Sequence, residues 1–209
     1  MADATTTAKP SPASTTTVPT TTVPTTASAT EPATELPLVP GRWALDTLHS
    51  QVSFSVRHLG VSKVRGRFND VAADLVVGAT ADTSSVTATI AVASLDTGNP
   101  DRDAHVLSDE LLDVAKRPTL AFRSLAVQGT GSDWTVEGEL TIGEVTRPIS
   151  LDVELGGVQD FFDGSRHAGF EASTQLRRKD FGIDFGAANA LLGDVIKIEL
   201  DLQFVEPQD

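Results

Sequence analysis

The 209-residue sequence contains no cysteine and no tyrosine, and only 11 of its residues are aromatic. Without cysteine the chain has no disulfide, no thiolate ligand for zinc and no thiol nucleophile. The sequence also lacks a run of about 18 apolar residues, the length that a membrane-spanning helix needs. These absences exclude thiol chemistry and leave no candidate for a transmembrane helix.

Basic residues are scarce: 16 Lys and Arg stand against 29 Asp and Glu, for a net charge of −13. Residues 1–40 account for −2 of this charge, so residues 41–209 carry −11. An acidic domain repels phosphate backbones and anionic membrane surfaces. We therefore expect no nucleic-acid partner and no stable membrane insertion.

The first residues, Met-Ala-Asp-Ala-Thr-Thr-Thr, lack both the basic and the apolar stretch of a secretion signal. We therefore expect a cytoplasmic location. An extracytoplasmic one stays open, because stretches rich in Thr and Pro also occur in extracellular stalks.

Residues 1–40 differ in composition from the rest, with 13 Thr, 7 of the 11 Pro and no aromatic residue. Such a stretch buries too little apolar surface to offset the entropy lost on ordering. The sequence therefore predicts a disordered tail over 1–40 and one folded domain over 41–209.

Apolar and polar residues alternate along several segments of the domain, as in Val52-Ser-Phe54-Ser-Val56 and Ile196-Lys-Ile198-Glu-Leu200. Because successive strand side chains point to opposite faces, each segment has one apolar and one wet face. With further strands at about 64–77, 119–127 and 168–178, roughly eight amphipathic strands are predicted. This is an all-β, antiparallel fold; a sandwich shows the same alternation, and the strand lengths favour a barrel.

One segment has a different period. Asn99-Pro100 is typical of a helix start, and Leu107, Leu111, Leu112 and Val114 then follow at helical spacing before Pro118. We predict a short helix that lies across one end of the barrel.

Several short motifs occur in a fixed order along the domain. They are Trp43-x-x-Asp46-x-x-His49-Ser50, Phe54-x-Val56-x-His58-x-Gly60, Val64-x-Gly66-x-Phe68, Ser94-Leu95-Asp96-Thr97-Gly98, Arg102-Asp103-x-His105, Pro118-x-x-Ala121-Phe122, Gly138-x-Leu140-Thr141-Ile142, Arg178-x-Asp180-Phe181-Gly182 and Gly193-Asp194-Val195. Each motif alone is weak, but the ordered set resembles the YceI-like family, bacterial lipocalin-like barrels associated with polyisoprenoid binding.

The resemblance implies an eight-stranded lipocalin-like barrel that binds, stores or transports a long apolar ligand. A polyisoprenoid such as a quinone or a polyprenyl phosphate would be the ligand, with no enzymatic step and no other cofactor. Strand parity and the resemblance together predict an apolar lining of Phe54, Val56, Phe68, Phe122, Leu140, Ile142 and Phe181. The alternative for each of these residues is an ordinary place in a filled core.

A polar head group would need donors at the mouth of the barrel. Arg102 and His105 lie three residues apart, hence on one helix face, with Asp103 beside them. Arg178 could add a second cation, and His58 shares the parity of the lining residues. The alternative is that Arg102, Asp103, Arg178 and Asp180 form a surface or rim salt-bridge network that holds the helix to the barrel.

Other functions stay open. His58 could bind haem or a metal in a redox protein, although no local histidine spacing indicates a metal site. A solid barrel could serve as a stress-related interaction protein, and the barrel could pair as a homodimer. A hydrolase triad of Asp46, His49 and Ser50 is rejected, because adjacent strand residues point to opposite faces.

Overall fold

A computed structural model describes residues 36–207, apart from the side chains of Ala187 and Ala188. The predicted tail of residues 1–40 lies outside the described residues except for its last five. The strands are β1 (Gly41–Leu45), β2 (Gln51–His58), β3 (Ser62–Phe68), β4 (Val71–Val77), β5 (Ser85–Ala91), β6 (Leu95–Asp96), β7 (Thr119–Thr130), β8 (Asp133–Ile142), β9 (Val145–Asp160), β10 (Arg166–Arg177) and β11 (Leu192–Val205).

These eleven segments of residues 36–207 form one closed antiparallel barrel with eight strand positions. β1 and β2 share a position because both pair with β11, while β4 pairs with β1 and β3 with β2. β5 and β6 likewise share the next position, pairing with β4 and β3. β7 to β11 follow in chain order, and β11 closes the ring. The predicted eight-stranded barrel is confirmed.

Because the strands run up and down, their connections alternate between two ends of the barrel. At the helix end lie the β2–β3 hairpin, the helix, the β8–β9 hairpin and the link 178–191. At the tail end lie the segment 36–40, the link 78–84, and the β7–β8 and β9–β10 hairpins. These two names are used below.

The single described α-helix, α1 (Pro100–Leu107), begins as predicted, with the Asn99 side chain accepting from the backbone of Arg102 at 3.0 Å. It ends earlier than its apolar spacing predicts. Ser108 has an extended backbone, and the chain then folds back so that Leu112 N donates to Val106 O at 2.9 Å. Leu112 therefore reaches the core from a turn rather than from a longer helix.

Three clusters of buried apolar side chains lie inside the barrel. One, at the tail end, contains Leu38, Trp43, Val77, Ala168 and Phe204. A second closes the helix end and contains Leu140, Ile142, Leu176, Phe181 and Ile183. The third contains Val52, Phe68 and Leu95, and packs against Val106 and Leu107 of α1. The helix thus covers one end of the barrel, as predicted.

Candidate functional site

An apolar cavity of about 180 Å³ lies among these clusters inside the barrel. Inward-facing side chains from most of the strands form its wall, because the period of two places every second residue inside. The wall consists mainly of Val52, Phe68, Ala73, Leu75, Val86, Ala88, Ile90, Leu120, Phe122, Val127, Trp134, Val136, Leu140, Ile149, Leu151, Val153, Leu155, Phe170, Ala172, Leu176, Ile198, Leu200, Leu202 and Phe204.

Leu36 and Leu38 also line the cavity at the tail end, although they precede the first strand. Trp43 holds their segment in place, because its Nε1 donates to Val39 O at 3.0 Å. Sequence reasoning missed this contact. A Leu-x-Leu pair directly before the opening strand is the signal that could have indicated it.

Among the described residues, three hydroxyl side chains reach the cavity wall: Ser84, Ser85 and Thr174. Ser84 Oγ donates to Thr80 O at 2.9 Å and accepts from Gly78 N at 2.9 Å. Thr174 Oγ1 donates to Ser150 O at 2.7 Å. Because Ser84 and Thr174 already have partners and the rest of the described wall is almost entirely apolar, it offers a ligand mainly apolar contact.

Three of the seven predicted lining residues lie on the wall: Phe68, Phe122 and Leu140. The structure places the other four elsewhere: Phe54, Val56, Ile142 and Phe181. Ile142 and Phe181 belong to the packed cluster that closes the helix end, and the Phe54 ring packs against Phe68 with centroids 5.5 Å apart. Contact of any of the seven with a ligand stays a prediction.

The predicted head-group residues on α1 contact the protein itself. Arg102 donates from Nε to Thr97 Oγ1 and from Nη2 to Thr97 O, both at 2.7 Å. Asp103 accepts from Thr97 N at 2.9 Å, and His105 Nε2 lies 3.1 Å from Glu110 Oε2. Arg102 and Asp103 therefore join the helix to the residue that follows β6.

Arg178 does not lie at a rim. Its side chain is buried, and its guanidinium donates to three backbone carbonyls, Gly193 O at 3.1 Å, Ile183 O at 2.8 Å and Leu192 O at 3.3 Å. The Phe185 ring covers it, with 4.4 Å between Cζ and the ring centroid. His58 is half-buried at the end of β2 and does not line the cavity. The structure does not bring the predicted polar residues together around one mouth.

A polar chain at the tail end was not predicted. Gln203 Nε2 lies 2.8 Å from His167 Nδ1 and 3.1 Å from Asp46 Oδ2. Asp46 Oδ2 in turn lies 2.8 Å from His49 Nδ1. His167 Nε2 lies 2.9 Å from Ser165 Oγ, which donates to an oxygen of Asp163 at 2.6 Å. The chain ties the β9–β10 hairpin to the link between β1 and β2.

The histidine of this polar chain is not placed as the general base that a serine hydrolase needs. Since the Gln203 amide donates to Nδ1 of His167, that nitrogen accepts, and the ring proton sits on Nε2 facing Ser165. His167 therefore cannot take the hydroxyl proton of Ser165. Ser50 hydrogen-bonds the backbone of Gln203 rather than the ring of His49.

Two carboxylates in this hydrogen-bonded polar chain, Asp46 and Asp163, have lowered pKa values. Burial by itself would raise the pKa of Asp46, but hydrogen bonds from the His49 ring and from the backbone of Leu48 and His49 outweigh it and lower the pKa. Hydrogen bonds from the side chain and the backbone of Ser165 lower the pKa of Asp163. Both groups are therefore ionised acceptors at neutral pH.

Within residues 36–207, no three side chains of His, Asp or Glu converge into a group that could hold a metal ion. In the same part of the chain, α1 and the short helical turns are neither long nor apolar enough to cross a bilayer.

Comparison with known sequences gives a consistent result. A family model of the YceI-like domain matches residues 43–204. A UPF0312 protein of Enterobacter sp. (strain 638) is 38% identical over 154 residues, 72% of this chain and 80% of that protein. Protein YceI of Salmonella arizonae is 36% identical over 154 residues, 72% of this chain and 81% of that protein.

Solved structures share the fold. The YceI protein of Campylobacter jejuni matches with a TM-score of 0.63 at 28% identity, over 73% of this chain and 90% of that one. BcnA of Burkholderia cenocepacia has a TM-score of 0.68 at 22% identity, over 76% and 98% of the two chains. A polyisoprenoid binding domain from Saccharophagus degradans has a TM-score of 0.59 at 17% identity, over 79% and 98%. The barrel, the ordered motifs and the match over residues 43–204 together show that this chain belongs to the YceI-like family.

Proposed function

We propose that the protein holds a long apolar ligand of the isoprenoid type in the barrel cavity, and stores or carries it without a chemical step. The observation that carries the proposal is the apolar wall of the cavity. Its volume of about 180 Å³ takes only a segment of such a chain, so the side chains of the barrel interior must move apart to enclose a longer one. The fold shared with a polyisoprenoid binding domain supports the same ligand class.

The wall chemistry favours a flexible hydrocarbon chain. Each buried CH₂ contributes about 0.8 kcal/mol, so a tail needs no polar partner to bind. Side chains from strands on opposite sides of the barrel surround the space, so a bound tail would make apolar contacts on all sides. A charged or polar head would remain outside, because the described wall presents no ionisable side chain.

The first experiment is native mass spectrometry, with organic extraction, of protein purified from its own host. We expect a stoichiometric lipid of isoprenoid mass. Protein that is free of lipid and also takes up neither quinones nor polyprenyl phosphates would contradict the proposal, and would favour a barrel that acts through its surface.

A matched pair of variants on β5 tests the location. Ala88 lines the cavity and Thr89 is exposed on the outer face. Ala88→Phe fills the cavity and should weaken binding of a polyprenyl probe at least roughly tenfold, the equivalent of losing two buried methylene groups. Thr89→Phe adds the same ring outside and should leave the affinity unchanged. Equal affinities in both variants, with both folded by circular dichroism, would place the ligand elsewhere.

A further inference from the structure

The tip of the β2–β3 hairpin exposes apolar side chains. Leu59 is 54% exposed and Val61 is 81% exposed, and Leu191 beside them is 45% exposed. Leu191 is held there by a hydrogen bond from Leu59 N to Leu191 O of 2.7 Å. Leu59, Val61 and Leu191 are called the apolar tip below.

Leu59 also has a backbone conformation that is rare for a leucine. Leu59 has φ of +53° and Gly60 has φ of +72°, and Val61 N closes the turn on His58 O at 3.2 Å. Two central residues with positive φ favour Asn-Gly or Asp-Gly, because a leucine side chain is disfavoured in this region. An exposed leucine at this position is unfavourable both for the turn and for contact with water. A role in binding explains both costs.

Cations flank the apolar tip. Arg57, Lys63 and Arg65 are exposed on the outer face of β2 and β3, with Arg57 opposite Lys63 in the strand register. In the described part of the chain these three side chains form no ion pair, whereas Arg67 bonds Asp96 at 2.9 Å. Glu199, whose pKa is lowered chiefly by Lys197 and to a smaller extent by Lys63 and Arg65, is already bonded to Lys197 at 2.7 Å. Arg57, Lys63 and Arg65 are called the basic flank.

The opposite end of the molecule is acidic. The outer face of β8 to β11 carries carboxylates on a shallow groove, with Asp133 and Glu154 toward the tail end. The exposed Phe162 at that end lies between Asp160 and Asp163 in the sequence. Carboxylates also lie at the helix end, among them Asp101 on α1 and Asp109 and Glu110 after it, so the attraction of an anionic surface is confined to the hairpin itself.

We propose that the apolar tip and the basic flank dock the protein on a bilayer that contains anionic phospholipid. Leu59, Val61 and Leu191 enter the interfacial region, and the cations of the basic flank contact lipid phosphates. The contact is peripheral and reversible, because only one hairpin and one neighbouring residue take part. It does not depend on which ligand the cavity holds.

The test is co-sedimentation of the full chain with vesicles of phosphatidylcholine alone or mixed with phosphatidylglycerol. We expect binding to the mixed vesicles at low salt, with weak binding to phosphatidylcholine and loss at high salt. Leu59→Asn with Val61→Thr should weaken binding roughly tenfold, because two apolar contacts are lost. Since Asn tolerates positive φ, this variant should fold at least as well as the parent.

Separate variants test the role of the cations and the location of the contact surface. Replacing Arg57, Lys63 and Arg65 by Gln should abolish the preference for phosphatidylglycerol, at roughly fivefold per cation. Phe162→Ser removes an exposed aromatic residue at the acidic end and should leave vesicle binding unchanged.

The proposal is overturned if the parent chain does not bind mixed vesicles at low salt, or if Phe162→Ser lowers binding as much as the tip variant. A chain that ignores all vesicles but self-associates through Leu59 and Val61 would show a protein contact instead.

Discussion

Carbonyl oxygens hold the guanidinium of Arg178 inside the protein. Its three acceptors come from Ile183, Leu192 and Gly193, so one side chain fixes both ends of the link between the last two barrel strands. Buried carbonyls need donors, and a guanidinium can supply several in a fixed plane. The link that closes the helix end therefore depends on this residue.

Replacing Arg178 by Lys should lower the free energy of unfolding by about 3 kcal/mol, because an ammonium cannot reach three divergent carbonyls and leaves some of them unpaired. Urea denaturation measures the change. The matched control is the neighbouring Arg177→Lys, whose side chain is 65% exposed and pairs with Asp194 at 3.3 Å. This control should stay within about 0.5 kcal/mol of the parent. Similar losses in both variants would contradict the role given to Arg178.

At the scale of elements, α1 depends on its first turn. Asn99 accepts from the backbone of Arg102, and Thr97 is clamped by Arg102 and Asp103 directly before it. The helix is only eight residues long, so isolated helix propensity cannot stabilise it. Its start is set by these capping contacts and its position by packing on Phe68 and Leu95.

Asn99→Ala should lower the free energy of unfolding by about 1 kcal/mol, since one backbone donor at the helix start loses its acceptor. Thermal or urea unfolding reports the change, and Asn99→Asp, which keeps a capping oxygen, should restore most of the stability. An alanine variant as stable as the parent would mean that packing alone defines the helix start.

The strands could be predicted from sequence because side-chain alternation is a local property. The helix end could not: Leu111 and Leu112 keep helical spacing, but Ser108 leaves the helical conformation and the turn that follows is set by contacts with the core. Parity does place Arg178 inside, since Arg177, the last residue of β10, points outward. The rim position predicted for Arg178 was wrong because a charged side chain was expected to stay in solvent, whereas backbone carbonyls accept its guanidinium inside the protein.

The candidate site was predictable only in part, for the same reason. Phe68, Phe122 and Leu140 lie on the cavity wall because their strands place them inside. Ile142 has the same parity as Leu140, yet packing at the helix end removes it from the wall. Whether an inward residue meets open space or another side chain is decided by the whole barrel, which no single segment encodes.

At the scale of the whole molecule, the segment before β1 is part of the barrel core. Leu38 is buried in the tail-end cluster and Leu36 packs against it. A chain truncated to begin at Gly41 should therefore have a free energy of unfolding about 3 kcal/mol lower than a chain truncated to begin at Leu36, because the apolar contacts of Leu36 and Leu38 are lost. Urea denaturation of both chains measures the difference. Equal stability would show that the segment only rests on the surface.

The positions of Leu36 and Leu38 also bear on the length of the ligand that the cavity could hold. They line the cavity at the tail end, and the hydrogen bond from Trp43 Nε1 to Val39 O holds their segment there. A hydrocarbon chain of the proposed kind would meet them at that end of the cavity. Smaller side chains at positions 36 and 38 should therefore allow the barrel to accept a longer chain.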